Sequence, residues 1–489
     1  MKPANHTGPS PANTWKDLFT TDTVAVIGAS NVAGSWGVGI MKRLLTAKNR
    51  RVYPVNPAAT EVLGMAAFGS VLDIPEPIDL AVIVVSAPRV PSLLRECVQK
   101  GIRTAIIISG GFSETGAPGG KLETELVEIA RQGNLRFVGP NTMGHLDTGS
   151  QLSTMPWTAI PKPGPVALIV QSGNMGHRIL YNGRGAGIGF SKFVCTGNEA
   201  DLHLEDCLEY LARDDDTKII TAYIEGLREG RRFLQLARET TVRKPIIVIK
   251  SGGTEVAARA AKSHTGAIAG SNEIYTAAFR QSGVIRVDDD DELTDVASAL
   301  INQPLPRNNQ IGILSIGGGP GVMAAEACEK EGLVIPPLAP GTIQKLDACL
   351  PPRWSRSNPV DMGGLSNAEH SITFSALQAL FEDENIGAIL LQALVALGTK
   401  HLLRTFNTDE VRAINKTEKK NLAMVAKWVK KYRKPVFMVR PSPEIFANRR
   451  DPIRLRRKGI SLYPSLHRAV KALRHLVWYR QYLDTMVKK

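Results

Sequence analysis

Thr23-Val24-Ala25-Val26-Ile27-Gly28-Ala29-Ser30 decides the fold. Five apolar or β-branched residues run without polar alternation into a glycine and two small residues. That is the pattern of a strand buried on both faces which turns at once into a helix. The device recurs at helix-length intervals. Further runs stand at Arg51 to Val55, Leu80 to Val85, Thr104 to Ile108 and Arg136 to Val138. A parallel sheet covered on both faces is expected, ending near Thr148.

A second series follows the loop Pro156 to Pro165, with runs at Val166 to Val170, Lys192 to Val194, Ile219 to Ile224, Ile246 to Ile249 and Val284 to Val287. A third begins after Pro304 to Asn309, with Gln310 to Ile316, Ala388 to Gln392, Pro435 to Val439 and Ile460 to Tyr463, then a basic helix from Ser465. The pattern predicts an α/β protein of three consecutive doubly wound parallel-sheet domains, over residues 21–150, 160–304 and 308–489. Residues 1–20, rich in Pro, Asn, Thr and Ser, read as a loose arm ending in an amphipathic turn around Trp15 to Phe19.

A chain of 489 residues exceeds what one core organises. No run of about 18 apolar residues and no basic-then-apolar leader is present, so a cytoplasmic protein without membrane contact is expected. The five cysteines are scattered and lack C-x-x-C spacing, which fits reduced thiols rather than disulfides or a structural zinc site. No metal site is expected in this chain. The net charge is +14, but residues 401–489 hold 23 Lys and Arg against 6 Asp and Glu, a local +17 that leaves −3 for the preceding 400 residues. Such an end suits phosphates, an acidic partner or a solvated face. Nucleic acid is disfavoured because no recognition motif accompanies the charge.

In open parallel sheets ligands bind beyond the carboxyl ends of the strands. In the first series those ends read Gly28-Ala29-Ser30 with Ser35, Asn56-Pro57, Ser86-Ala87-Pro88, Ser109-Gly110-Gly111 and Gly139-Pro140-Asn141. All are small, polar or turn-forming, which lets backbone N–H groups approach a pyrophosphate. One glycine-rich turn serves strand-helix packing equally well; five together favour a nucleotide or phosphate ligand. Dinucleotide binding is the obvious alternative, but G-x-G-x-x-G is absent and Asn56 stands where an acidic ribose ligand belongs.

Two further strands open helices through glycines. Gln171-Ser172-Gly173-Asn174 follows the first strand of the second series, and Gly317-Gly318-Gly319-Pro320-Gly321 the first of the third. Unpaired N–H groups at such helix starts attract anions, although glycine also serves simple turns. His264 lies in Ala260-Ala261-Lys262-Ser263-His264-Thr265-Gly266, where small neighbours leave room beside the ring for a phosphate. Most lone histidines are structural, and packed ones need no such room. Glu225 ends the buried run Ile219 to Ile224 and is placed to orient that imidazole and steady it when cationic.

The order of these motifs resembles that of the ADP-forming acetate/acyl-CoA synthetases, related to succinyl-CoA synthetase. The resemblance runs from Val26-Ile27-Gly28-Ala29-Ser30 through Gly197-Asn198-Glu199, Tyr223-Ile224-Glu225-Gly226 and Ser263-His264-Thr265-Gly266 to Asn358-Pro359-Val360-Asp361. It implies a Rossmann-like CoA-binding domain followed by two flavodoxin-like domains, with coenzyme A held by the first set of strand ends. It further implies His264 as the phosphorylated residue, Glu225 as its supporting carboxylate, and the helices opening at Ser172 to Asn174 and at Gly318, Gly319 and Gly321 as its phosphate-binding termini. A carboxylic acid and phosphate are the implied small substrates. Mg2+ and ADP or ATP are implied on a separate ATP-grasp, beta-type partner. Thr142-Met143, where such proteins often carry Cys-Leu, and Lys262, where a small residue is usual, depart from the pattern. A CoA-binding regulatory paralogue without turnover is the alternative.

Overall fold

The computed structural model describes residues 11–47, 50–156, 160–254, 256, 271–363, 370–392, 407–440, 453, 455 and 458–487. The chain divides into two compact units, residues 1–184 with 189–288, and residues 185–188 with 289–489.

Among the described residues the first unit contains two large sheets and a small antiparallel pair, Glu61–Val62 with Met65–Ala66. The first has five parallel strands, β1 (Thr23–Ile27), β2 (Arg51–Val55), β3 (Leu80–Ile83), β4 (Thr104–Ile107) and β5 (Arg136–Val138), in the order β2-β1-β3-β4-β5. Every residue of β1, β3 and β4 is buried, which is why these runs are continuous rather than alternating. The order reverses direction beside β1, so the turns after β1 and β3 diverge and leave a crevice at the carboxyl edge.

The second sheet has seven strands. Its parallel part comprises β8 (Pro163–Val170), β9 (Phe190–Cys195), β10 (Ile219–Ile224), β11 (Ile246–Lys250) and β12 (Ile285–Val287). Two short strands, β6 (His145–Asp147) and β7 (Leu152–Ser153), join it antiparallel beside β9, giving the order β12-β11-β10-β8-β9-β6-β7. Neither was expected. Two or three residues cannot display a period; β6 is placed by pairing with β9, about 45 residues away, and β7 by pairing with β6.

The loose arm expected over residues 1–20 is, in its described part, a helix, α1 (Pro11–Phe19). Trp15, Leu18 and Phe19, spaced three and four apart, are fully buried in the core shared by the two sheets. Phe19 stacks on Tyr210 with centroids 5.4 Å apart and meets His145 edge-on at 5.1 Å. Burial, with Arg50 adding to it, pulls His145 down to about 4, so its ring is neutral near pH 7; its Nε2 lies 3.0 Å from the Leu18 carbonyl oxygen.

The second unit carries one parallel sheet, β13 (Ile311–Ser315), β14 (Val360–Asp361), β15 (Ala388–Gln392), β16 (Val436–Val439) and β17 (Ser461–Tyr463), in the order β14-β13-β15-β16-β17. The helices Asp290–Asn302 and Leu466–Val487 pack together in this unit. Asp289 caps the former, and Asp290, Asp291 and Glu292 fill its first turn, complementing the helix dipole.

These acids also account for part of the basic C-terminal charge. Arg468 pairs with Asp295 at 2.6 Å and Asp291 at 3.1 Å, His475 meets Glu292 at 2.9 Å, and Arg474 meets Glu331 at 2.9 Å. Arg449, Arg450, Arg454, Arg456 and Arg457 lie outside the described residues; Lys458 is exposed. No described helix is long and apolar enough to cross a membrane.

Candidate functional site

At the carboxyl edge of the first sheet the expected residues form a continuous rim. Gly28 follows β1 with φ +97°, and the side chain of Asn56, after β2, reaches across to the Ala29 carbonyl oxygen at 2.8 Å. The Asn56 Oδ1 accepts from the Ala58 N–H at 2.9 Å, which folds the turn containing Pro57. Ser30 caps its own turn through Val32 N–H, and Ser35 caps the helix α2 (Trp36–Leu44) through Val38 N–H. Ser86 precedes a 3₁₀ turn formed by Ala87, Pro88 and Arg89. Ser109 Oγ accepts from Val85 N–H at 3.2 Å, joining the turns after β3 and β4.

The turn Gly110-Gly111 is shaped by Glu114, whose Oε1 accepts from the N–H groups of Gly111 and Phe112. Burial alone would raise Glu114; hydrogen bonds from Asn198 and these N–H groups carry it below the ordinary carboxylate value instead. Asn198 comes from the second sheet. Its Nδ2 donates to Glu114 at 2.6 Å, Glu123 at 2.8 Å and Ser113 at 3.2 Å, and its Oδ1 accepts from Asn141 Nδ2 at 3.2 Å. Asn198 therefore ties the two sheets' loops together. In the sequence Gly197-Asn198-Glu199 stands out only as a motif, with no role visible there.

In the second sheet, β8 is followed by Gln171 and Ser172, after which the helix α3 (Gly173–Gly185) begins. A Cβ on Gly173 would lie 2.4 Å from Met143, so Met143, one of the two departures in that loop, packs against the helix opening. Glu225 follows β10 and is partly buried. Its N–H, with that of Gly226, donates to Gln171 Oε1, and its carbonyl accepts from Lys250 Nζ at 2.9 Å. Lys250 ends β11, is 8% exposed, and sits 4.5 Å from the Tyr275 ring centre. Burial lowers its pKa, with Arg286 adding to the effect. This buried cation beside the Glu225 turn was not picked out from sequence, where it is one more lysine at a strand end. His264, with Lys262 and Ser263, lies outside the described residues.

In the second unit, β13 runs through Ser315 into an extended Gly317, and the helix α4 (Gly318–Lys330) opens at Gly318 and Gly319. Ser315 Oγ donates to the Gly317 carbonyl at 2.9 Å, and a Cβ on Gly321 would come within 2.9 Å of the Ser315 Oγ. The opening borders a cavity of about 410 Å³ whose lining includes Arg353, Trp354, Ser357 and Asp361. Free N–H groups with an arginine alongside suit an anionic ligand.

Comparison with known proteins agrees with this layout. Residues 22–147 match a CoA binding domain, and residues 163–300 match a succinyl-CoA ligase like flavodoxin domain. The alpha subunit of acetate–CoA ligase [ADP-forming] II from Pyrococcus furiosus is 42% identical over 378 residues, 77% of this chain and 82% of that one. Acetate–CoA ligase [ADP-forming] I from Archaeoglobus fulgidus is 44% identical over 76% of this chain, which spans only 54% of its length. The apo dinucleotide-forming acetyl-coenzyme A synthetase 1 of Ca. Korarchaeum cryptofilum superposes with a TM-score of 0.82 at 31% identity, covering 97% of this chain and 99% of that one. With both family domains present in order, and an alpha subunit matched over most of its length, the chain belongs to the ADP-forming acetate/acyl-CoA synthetase family.

Proposed function

We propose that this chain is the CoA-binding, phosphohistidine-carrying subunit of an acyl-CoA synthetase that interconverts acyl-CoA, phosphate and ADP or GDP with the free acid, CoA and ATP or GTP. The observation that carries the reading is the Gln171 side chain, which fixes the Glu225 turn directly beside the helix opening at Ser172 and Gly173. A carboxylate and an anion-binding helix start are thus held side by side.

In the thioester-cleaving direction, a phosphate oxygen attacks the acyl carbon, the C–S bond breaks, and CoA leaves as a thiolate that takes a proton. The acyl phosphate then meets a neutral His264. An imidazole nitrogen attacks phosphorus, the bond from phosphorus to the acyl oxygen breaks, and the acid departs as its carboxylate. Glu225 accepts a hydrogen bond from the other ring nitrogen and balances the cationic phospho-imidazole. The helix opening at Ser172 to Asn174 stabilises the transferring group with N–H donors, and the opening at Gly318, Gly319 and Gly321 is a second terminus of the same anion-binding kind. A terminal oxygen of ADP or GDP finally attacks phosphorus, the P–N bond breaks, and the imidazole returns neutral. CoA lies on the rim formed by Gly28, Ser30, Ser35, Asn56, Ser86, Ser109, Gly111 and Asn141. Mg2+ and the nucleotide belong to an ATP-grasp partner of the beta type; the name of the Pyrococcus relative, a subunit alpha, supports a divided enzyme.

The chain alone and the chain mixed with an ATP-grasp beta subunit should be compared for phosphate- and ADP-dependent release of CoA thiol. Sustained turnover is expected only in the mixture. ATP made by the chain alone would refute the need for a partner, and CoA binding with no thioester cleavage in either sample would favour a regulatory paralogue.

A further inference from the structure

Gln171 connects three strand ends. Its Oε1 accepts from the N–H groups of Glu225 at 2.5 Å and Gly226 at 3.0 Å, while its Nε2 donates to the Gly226 carbonyl at 2.7 Å and to Glu199 Oε2 at 2.9 Å. Both lone pairs and both protons of the amide are then in use. Three of the four bonds grip the Glu225 turn. The fourth is made by Glu199, which has no part in the reaction described above.

Glu199 is 3% exposed and holds a left-handed backbone at φ +57°, a conformation a glutamate adopts only when its surroundings impose it. Its other oxygen lies 2.7 Å from Thr196 Oγ1, which also reaches the Val170 carbonyl at 3.3 Å. A cation acting on it, Arg228, donates to the Asn198 carbonyl at 2.9 Å. A reversed Gln171 amide would set its NH₂ against two N–H donors and its oxygen against the Glu199 carboxyl. The two N–H donors and the carboxyl therefore agree on one orientation, and the carboxyl anchors the NH₂ end of the amide that holds Glu225.

We propose that Glu199 is a positioning residue for Glu225, acting through the Gln171 amide to hold the turn after β10 in its working geometry. This rests on the reading of Glu225 as the carboxylate that supports His264.

The charge state of Glu199 supplies a readout. Burial, and then the charge of Glu205, push it up to about 8, against the hydrogen bonds from Thr196 and Gln171. Among the described residues the ionisable groups acting with it are Glu205 and Cys207 on the helix Leu204–Arg213, Arg228 after β10 and Cys195 on β9. Near pH 7 burial keeps the carboxyl neutral, with Thr196 Oγ1 at its Oε1 and Gln171 Nε2 donating to its Oε2. Above that range an anion forms beside buried Glu205 and the network loosens.

The test is single-turnover phosphorylation of the full chain by acyl-CoA and labelled phosphate from pH 6.5 to 9. Glu199→Ala should slow labelling about 10- to 100-fold, the scale of one lost buried hydrogen bond to a polar partner left behind, with the acyl-CoA concentration dependence unchanged within about threefold. Glu199→Gln should stay within about threefold of wild type near pH 7 and hold its rate where wild type falls, as pH rises through about 8. Should Glu199→Ala fail to fold, Gln171→Met carries the same expectation. Where both fold, combining them should cost no more than the larger single effect. Wild-type rates in Glu199→Ala, multiplicative losses in the double variant, or an unchanged alkaline fall in Glu199→Gln would overturn the proposal. Absence of any label in wild type would instead sink the phosphohistidine reading.

Discussion

A Glu225→Gln chain is expected to take up phosphate from acyl-CoA about 10²- to 10⁴-fold more slowly than wild type, with acyl-CoA binding nearly unchanged. The bonds from Gln171 and Lys250 meet the main chain of the turn at Glu225 and Gly226, so these bonds survive when an amide replaces the carboxylate. What is lost is charge. A neutral amide accepts a hydrogen bond from the imidazole more weakly, presents its own N–H in half of its orientations, and does nothing for the cation that forms when phosphorus bonds to the ring. Single-turnover labelling measures the rate, and calorimetric titration with CoA measures the binding. Labelling at the wild-type rate would remove Glu225 from the mechanism.

The second large effect is expected at the first strand end. Gly28 sits at φ +97°, and a Cβ built there would lie 2.4 Å from the Val84 carbonyl oxygen and 3.0 Å from Val85 Cγ1. Gly28→Ala must therefore move the turn away from the strand edge in addition to the conformational strain, which for a residue forced into such a region is about 1–3 kcal/mol. The rim that would receive CoA's phosphates is displaced with it. CoA affinity should fall at least about tenfold, on the scale of 1.4 kcal/mol per decade, and the melting temperature should drop. Gly34→Ala provides the control. It also has positive φ, +80°, but opens onto empty space, so strain acts there without a clash and the loss should be smaller. Equal CoA affinity in wild type and Gly28→Ala would show that the rim is not the CoA site.

How far the fold could be read from the sequence depended on what each element is made of. The runs Thr23–Ile27, Arg51–Val55, Ile219–Ile224 and Ala388–Gln392 begin and end where punctuation by Gly, Pro, Asn or charged residues suggests. Buried β-branched runs and turn residues are local signals. The strand His145–Asp147 exists because of an antiparallel partner far along the chain, and Leu152–Ser153 because it pairs with that strand in turn; nothing in two or three residues announces either. The helix Pro11–Phe19 was hidden by its polar, proline-containing flank, although the spacing of Trp15, Leu18 and Phe19 carried the signal.

The candidate site divides in the same way. Glycine-opened helices, the acid at the end of β10 and the lone histidine among small residues are visible as types in a pattern. The hydrogen-bond relay from Thr196 through Glu199 and Gln171 to Glu225, the clasp of Asn198 on Glu114, and the burial of Lys250 are not. Apart from the local Thr196–Glu199 link, they join residues 25 to 84 positions apart, and each depends on where loops meet once the sheets have formed.

The most direct test of the account is to incubate the full chain with acyl-CoA and radiolabelled phosphate and identify the labelled peptide. The account predicts an acid-labile, base-stable phosphoryl group on the peptide containing residue 264, absent from His264→Asn. Label that persists in His264→Asn, or that maps to another peptide, would contradict it.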